Sequence, residues 1–396
     1  MKSNPQLTSL VRIVPGSARS WRAVNNQPEQ KMKSKQLMKN KSASQSILIC
    51  LFAVLTFAVC GSPAWADSTA WNNPGTGDWF TPANWSNGVP TFLLDAFISN
   101  GGQAEISDPS TQAQAHSLTL GQNAGESGTL LVDIAPNTQF TNLLMYGTSV
   151  GSGGTGTLLI TSGGFVGTIG PASIASTPGS NGTVSVKGQV GAHASTWTIV
   201  APDNNPAQLS IGGTQGGTAV LDVHDHGAIE VSDSSTQTGP SVVVGPSGTL
   251  TGNGLIVVVG AGSTSRQVQV NGTLAPSGAS GSLRFSFAQN SNSSLTLTHS
   301  ATTECNVTPQ DNPTSPQISV SPGAASLDGR LSVTMTGDFS SAPTRYTLLY
   351  AAGGRDPSHL FFSSVSFKYP TGLGWAPQIT YDGDYVYLDR VYYLTP

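Results

Sequence analysis

The sequence predicts an all-β chain wound as a right-handed parallel β-helix. Three observations predict it: a composition poor in charge and in helix formers, a recurring Gly-Thr phrase, and short apolar alternations on both sides of that phrase. Of the 396 residues 46 are Gly and 25 are Pro, and only 10% are charged, where an ordinary globular domain has about a quarter charged. Gly, Ser, Thr, Asn and Val favour short strands and tight turns over helices.

The chain opens on a basic segment. Nine Lys and Arg residues precede Asp67 and only Glu29 opposes them, which leaves eight basic against twenty acidic residues from 67 onward, a net of −12. That acidity argues against nucleic acid as a partner, since binding the phosphate backbone needs concentrated Lys and Arg. The basic segment runs into the apolar stretch Ser46 to Cys60, then Gly61-Ser62-Pro63 and Ala64-Trp65-Ala66. These are the three parts of a signal peptide, with Ala64 and Ala66 as the small residues before the cleavage point. The apolar stretch is shorter than the roughly 20 residues that span a bilayer, so residues 1–66 read as an extended n-region and signal peptide, and the mature chain as free of a transmembrane span. Met32 and Met38 are alternative starts, and Cys60 offers a lipoprotein alternative. Cleavage after Ala66 removes Cys50 and Cys60 and leaves Cys305 with no intramolecular disulfide partner.

Residues 67–115 hold Trp71, Trp79 and Trp85 in a non-repeating stretch and are expected to form an N-terminal cap over the first coil. An uncovered solenoid end exposes strand edges and core side chains. The alternative is that these three indoles form a carbohydrate-stacking platform.

Residues 116–300 carry the repeat. Gly-Thr pairs begin at 128, 156, 182, 217, 248 and 272, a spacing of roughly 24 to 35 residues that falls in the range of solenoids and propellers. Each unit holds strands of only about three to six residues, so its apolar side chains must be buried against the next coil. Leu, Val and Ile at alternate positions then form internal ladders, and Gly at the corners permits close approach or positive φ. A sandwich or propeller is the competing architecture.

Residues 301–396 become richer in Tyr and Phe and are expected to form a second, C-terminal cap, preceded by a loop over residues 306–316 where Pro309, Pro313 and Pro316 interrupt the pattern. The half-buried alternations lie around Tyr346, Leu348, Phe361, Phe362, Tyr385 and Tyr387.

Taken in order, these segments resemble the passenger regions of autotransporters and related bacterial solenoid proteins. The resemblance runs from Gly77-Asp78-Trp79 and Asn84-Trp85-Ser86 through Ala194-Ser195-Thr196-Trp197, Leu250-Thr251-Gly252-Asn253-Gly254 and Asn271-Gly272-Thr273-Leu274-Ala275-Pro276. It closes on Leu327-Asp328-Gly329-Arg330-Leu331, Thr344-Arg345-Tyr346-Thr347-Leu348-Leu349 and Ile379-Thr380-Tyr381-Asp382. The resemblance implies a secreted or surface-exposed β-helix of a Gram-negative bacterium with a structural, adhesive or biofilm role, and a folding (autochaperone-like) function for residues 301–396. The family continues into an outer-membrane β-barrel, which these residues do not include. The expected partner is a cell-surface or matrix carbohydrate or protein; no cofactor is expected.

A β-helix can also carry polysaccharide lyase or hydrolase chemistry. The densest polar group is Asp222, His224, Asp225 and His226, followed by Glu230 and Asp233. His224, Asp225 and His226 are weak candidates for a divalent metal, which wants such ligands converging from one face. The opposing reading places them at a solvated strand end. No pair of carboxylates is singled out for glycoside hydrolysis, which needs two about 5 to 10 Å apart, and Gly151 to Gly156 lacks the Lys and helix of a phosphate loop. No catalytic residue is assigned, and the sequence reads as non-enzymatic.

Overall fold

The computed structural model describes residues 67–134, 142–202, 207–213, 217–233, 239–260, 264–277, 281–288, 292–371 and 374–392. The segment read as a signal peptide, with Ala64 and Ala66, lies outside the described residues.

Strands come in short pieces because Gly and Asn punctuate the apolar alternations every few residues, and apart from the hairpins Gln189–Val190 with His193–Ala194 and Trp375–Asp382 with Tyr385–Tyr392 they do not pair with their sequence neighbours. They pair instead with the equivalent piece one coil away. The result is a β-solenoid of about nine turns with three faces, each an 11-stranded sheet. Sheet 1 runs from Asp67–Ala70 to Arg355–Leu360, and sheet 2 from Thr76–Asp78 to Ser364–Lys368. Sheet 3 starts at Ala113–Ala115 and ends with Arg345–Ala351, Tyr385–Tyr392 and Trp375–Asp382. At about 4.8 Å per strand, eleven strands make a rod roughly 48 Å long.

One coil shows how the register is set. Thr148–Val150 lies in sheet 1, Thr155–Thr161 in sheet 2 and Phe165–Ile169 in sheet 3. In sheet 2, Leu158 stacks on Leu130 below and Val184 above. The ladder continues through Leu221, Leu250 and Leu274, all fully buried. Burying each such side chain is worth at most about 1.5–3 kcal/mol. A one-residue slip would turn the whole ladder to solvent, so the apolar pattern fixes the pairing.

The glycine of the Gly-Thr phrase has a steric reason. Gly128, Gly156 and Gly182 form a rung series at the start of the sheet 2 strands, and a Cβ on Gly128 would sit 1.8 Å from the Ile98 carbonyl oxygen. The series continues through Ala219 and Gly248. The repeat marker expected at Gly217 is therefore displaced by two residues, and Ala219 holds the rung. Spacing by the nearest Gly-Thr pair misplaced this coil because a Gly two positions upstream keeps the same in-out parity.

The boundaries expected for the caps also change. The stack already begins at Asp67–Ala70, which pairs parallel with Leu94–Ile98, so residues 67–115 belong to the first coils. Parallel stacking likewise passes residue 300 and continues to Ser364–Lys368. Aromatic enrichment marked a change of core side chains there, not a change of fold. Within this stretch, residues 308–316 form the turn-rich loop expected from their prolines, pinned by Asp311 accepting bonds from the Thr308 backbone and hydroxyl at 3.0 and 2.9 Å.

The two ends are finished differently. At the first coil, Asn84–Gly88 folds over the free edge of sheet 1: the Ser86 amide donates to the Ala70 carbonyl and the Ser86 hydroxyl accepts from the Ala70 amide, both at 2.8 Å. At the far end, Tyr385–Tyr392 joins Arg345–Ala351 antiparallel, and Trp375–Asp382 joins it antiparallel in turn. Arg390 of this hairpin is buried, donates to the carbonyls of Phe339 and Ala342, and lies 5.3 Å from the Trp375 ring centre. Midway along the rod, Arg266 and Asp233 form a fully buried ion pair at 2.9 Å.

Candidate functional site

The three tryptophans proposed as a sugar platform are placed together, but facing inward. Trp71, Trp79 and Trp85 are 2%, 0% and 3% exposed. Trp85 meets Trp71 and Trp79 edge-to-face at 5.0 and 4.8 Å, and its Nε1 donates to the Trp79 carbonyl at 2.7 Å. The indole faces are covered by each other and by the continuous core, so none is open to a sugar ring. Trp71 and Trp79 directly follow the strands Asp67–Ala70 and Thr76–Asp78, and Trp85 follows the 3-10 turn Pro82–Asn84.

The acid-histidine group lies on sheet 2. Asp222 and His224 share the outward face of Thr218–His224, because Ala219, Leu221 and Val223 take the inward parity. His224 Nδ1 is 2.8 Å from Asp222 Oδ2, off the line of a hydrogen bond, and Nε2 is 3.8 Å from Asp225 Oδ2. Asp225 and His226 form the following turn with φ of 48° and 72°, and Asp225 is held there by its amide donating to Asn253 Oδ1 at 2.9 Å. Lys187 is the neighbour of His224 in the adjacent coil, which places a cation beside the imidazole. Among the described residues, no group of three or more His, Cys, Asp or Glu is placed to hold a metal ion. Of the weak metal candidates His224, Asp225 and His226, the last two lie in the turn beyond the strand face that carries Asp222 and His224.

Three other ionisable groups show shifts with local causes. Hydroxyls of Ser162 and Thr161 donate to Asp133 and hold its carboxyl below the ordinary range. Burial pushes Glu230 upward. Cys305 points into the core, and burial, with the Glu304 charge adding to it, pushes its thiol up to about 12. A thiol so shifted carries almost no thiolate at neutral pH and is a core residue, not a nucleophile.

One polar group escaped sequence reasoning. At the corner between sheets 3 and 1, Asp95 Oδ1 accepts from the Ser117 hydroxyl at 2.6 Å and lies 2.9 Å from His116 Nδ1. The half-exposed Tyr146 lies in the next coil, its ring centre 5.9 Å from that of His116 and 5.9 Å from that of Phe92. The contacting partners are separated by 21 to 54 positions, so no local motif exposes them. Only aligning coils by their inward residues, Ala96 on Leu118 on Thr148, would have brought them together. Among the described residues no helix is long and apolar enough to cross a membrane. No protein-family model matches the chain, and no curated protein is significantly similar to it.

Proposed function

We propose that the chain is an exported, non-enzymatic β-helix of the autotransporter-passenger type, acting as a structural or adhesive element at the cell surface. The observation that carries this reading is the rod itself: three 11-stranded faces whose inner side is largely apolar, with a few buried polar groups such as Thr148 and the Arg266–Asp233 pair, and whose outer side presents separated polar side chains. Such a surface offers many shallow contact points along its length, which suits adhesion and spacing more than turnover of a substrate in a cleft. The basic-apolar leader and the Ala64-Trp65-Ala66 sequence support export, with the mature protein starting at Asp67.

The full chain expressed in a Gram-negative host tests this. We expect N-terminal sequencing of the exported product to begin at Asp67, Ala66→Arg to block processing, and external protease to reach the rod on intact cells. A product beginning at Cys60 would refute cleavage after Ala66, and one beginning at Met1 would refute the export reading. A panel of acidic and neutral polysaccharides should show no chain cleavage; turnover lost in Asp222→Ala or Asp225→Ala would replace the structural reading with a carbohydrate-active enzyme.

A further inference from the structure

The glycine of the Gly-Thr phrase turns inward, and its threonine turns out. The same three-residue pattern recurs at the start of sheet 2 strands: Ser127-Gly128-Thr129, Thr155-Gly156-Thr157, Asn181-Gly182-Thr183, Thr218-Ala219-Val220, Ser247-Gly248-Thr249, Asn271-Gly272-Thr273 and Ser300-Ala301-Thr302. In each triplet the middle residue is buried and the outer two are partly or fully exposed. The strand pairings set the third residue of each triplet on that of the next, with no register shift between them. One outward column therefore holds six threonines and one valine on seven successive rungs. Gln103 precedes the column and Arg330 follows it. The first residues of the triplets form a second column of Ser, Thr and Asn beside it, and neither column contains a charged residue.

Threonine suits any exposed strand position, but the other faces do not repeat it in this way. On sheet 3 an outward column runs Gly167, Thr198, Glu230, Val257, Ser286, with no residue type recurring. The sheet 2 hydroxyls are also unspent. Among the described residues, those of Thr129, Thr157, Thr183, Thr249, Thr273 and Thr302 bond to no other group of the chain. β-Branched side chains are stiff at χ1, so each rung offers a methyl and a hydroxyl at a fixed place. Val220 keeps the branched shape and lacks only the hydroxyl. At about 4.8 Å per rung, seven rungs make an array about 29 Å long.

A periodic surface is used in full only by a partner that repeats with it. Ice is such a partner, because the oxygen repeat of its lattice lies close to the rung spacing of a parallel sheet. Water resting on the methyl groups and bonded to the hydroxyls, which both donate and accept, continues the crystal. Charged side chains would interrupt it, since each keeps a hydration shell of its own. Stiff side chains lose little freedom when the crystal forms over them. A protein partner would call for an apolar patch with a polar rim, and a soluble sugar for a concave pocket; a column of separate threonines is neither. We infer that the sheet 2 column from Thr129 to Thr302, with the Ser, Thr and Asn column beside it, is an ice-binding face. The inference goes beyond the adhesive reading and stands whether or not the chain is exported.

The test is made on the purified full chain, by the gap between melting and freezing of a single ice crystal and by uptake of the protein into slowly grown ice. We expect both to exceed the values for serum albumin at equal concentration. Thr157→Lys should cut the gap at least fivefold, and Thr157→Lys with Thr183→Lys should abolish both readings. Ser210→Lys places the same charge on the outward side of sheet 1 and should change neither. If the double lysine variant does not fold, Thr157→Ser with Thr183→Ser replaces it: the hydroxyls stay, their rotamers are freed, and the gap should fall. A wild-type chain with neither reading would overturn the inference, as would a folded double variant that keeps both. So would an equal loss in Ser210→Lys, or binding to crystalline cellulose or chitin without uptake into ice.

Discussion

The corner after four successive sheet 1 strands takes a left-handed residue, and the chain supplies it unevenly. Gly121, Gly151 and Gly212 hold φ of 64°, 70° and 64°, whereas Ala175 holds the equivalent place at 47°. Left-handed backbone costs a residue with a Cβ roughly 1–2 kcal/mol, part of which glycine gives back through its freer unfolded chain. Ala175→Gly should therefore stabilise the protein by about 0.5 kcal/mol, read as a higher urea midpoint. The reverse change at Gly151 meets a second obstacle, since its Cβ would lie 2.1 Å from the Asn181 carbonyl oxygen. Gly151→Ala should cost more than about 2 kcal/mol in the same measurement, and equal effects at the two corners would sink this account. The alternation that buries Leu158 or Val184 was legible in the sequence. The exception at Ala175 was not, because alanine carries no mark of a left-handed conformation.

Among the elements, the C-terminal hairpin departs most from the repeat. Its Asp389 joins three strands: it accepts from Arg345 Nε and the second guanidinium nitrogen at 2.6 and 2.9 Å, and from Thr380 at 2.7 Å. Partial burial acts to raise this carboxyl, but the hydrogen bonds from Arg345 and Thr380 outweigh it and hold the group below its ordinary value. A depressed folded-state value stabilises the protein above the unfolded carboxylate range, about pH 4, and that contribution disappears as pH falls through the folded value. Arg345 is more than half exposed, so solvent screens the pair and the effect is small. Asp389→Asn should leave stability at pH 3 nearly unchanged while lowering it by up to about 1 kcal/mol at pH 7. Thermal melts across that range check it, and a variant whose loss is the same at both pH values would show that the carboxylate charge is irrelevant. The alternating aromatics of this hairpin were readable as strands; their antiparallel direction was not, because in-out alternation is the same for both directions.

At the scale of the whole molecule, each coil depends on its neighbours, so removing an end propagates inward. A chain truncated after residue 371 loses Trp375, Val386 and Leu388, all buried, and exposes the free side of Arg345–Ala351. Large-to-small changes at single sites of this kind cost about 2–5 kcal/mol, so the truncated protein should melt well below the full chain and be cut by protease from its C-terminal coils. An unchanged cooperative melt would show that the hairpin closes nothing. Removing Trp85 from the other end, as Trp85→Ala, should cost about 3–5 kcal/mol, read as a lower melting temperature, because its ring is buried against Trp71 and Trp79. The sequence by itself determined the class of this protein: scarce charge, short apolar alternations and recurring Gly-Thr pairs admit little except stacked short strands. Composition decides that, because strands this short cannot bury themselves. Tertiary structure alone decided which residue sits on which rung, as with Ala219 in place of Gly217, which way the last strands run, and whether an aromatic faces core or solvent. It sent Trp71, Trp79 and Trp85 inward and left Tyr146 exposed, because contacts between coils are separated by a whole turn of chain and leave no local trace in the order of residues.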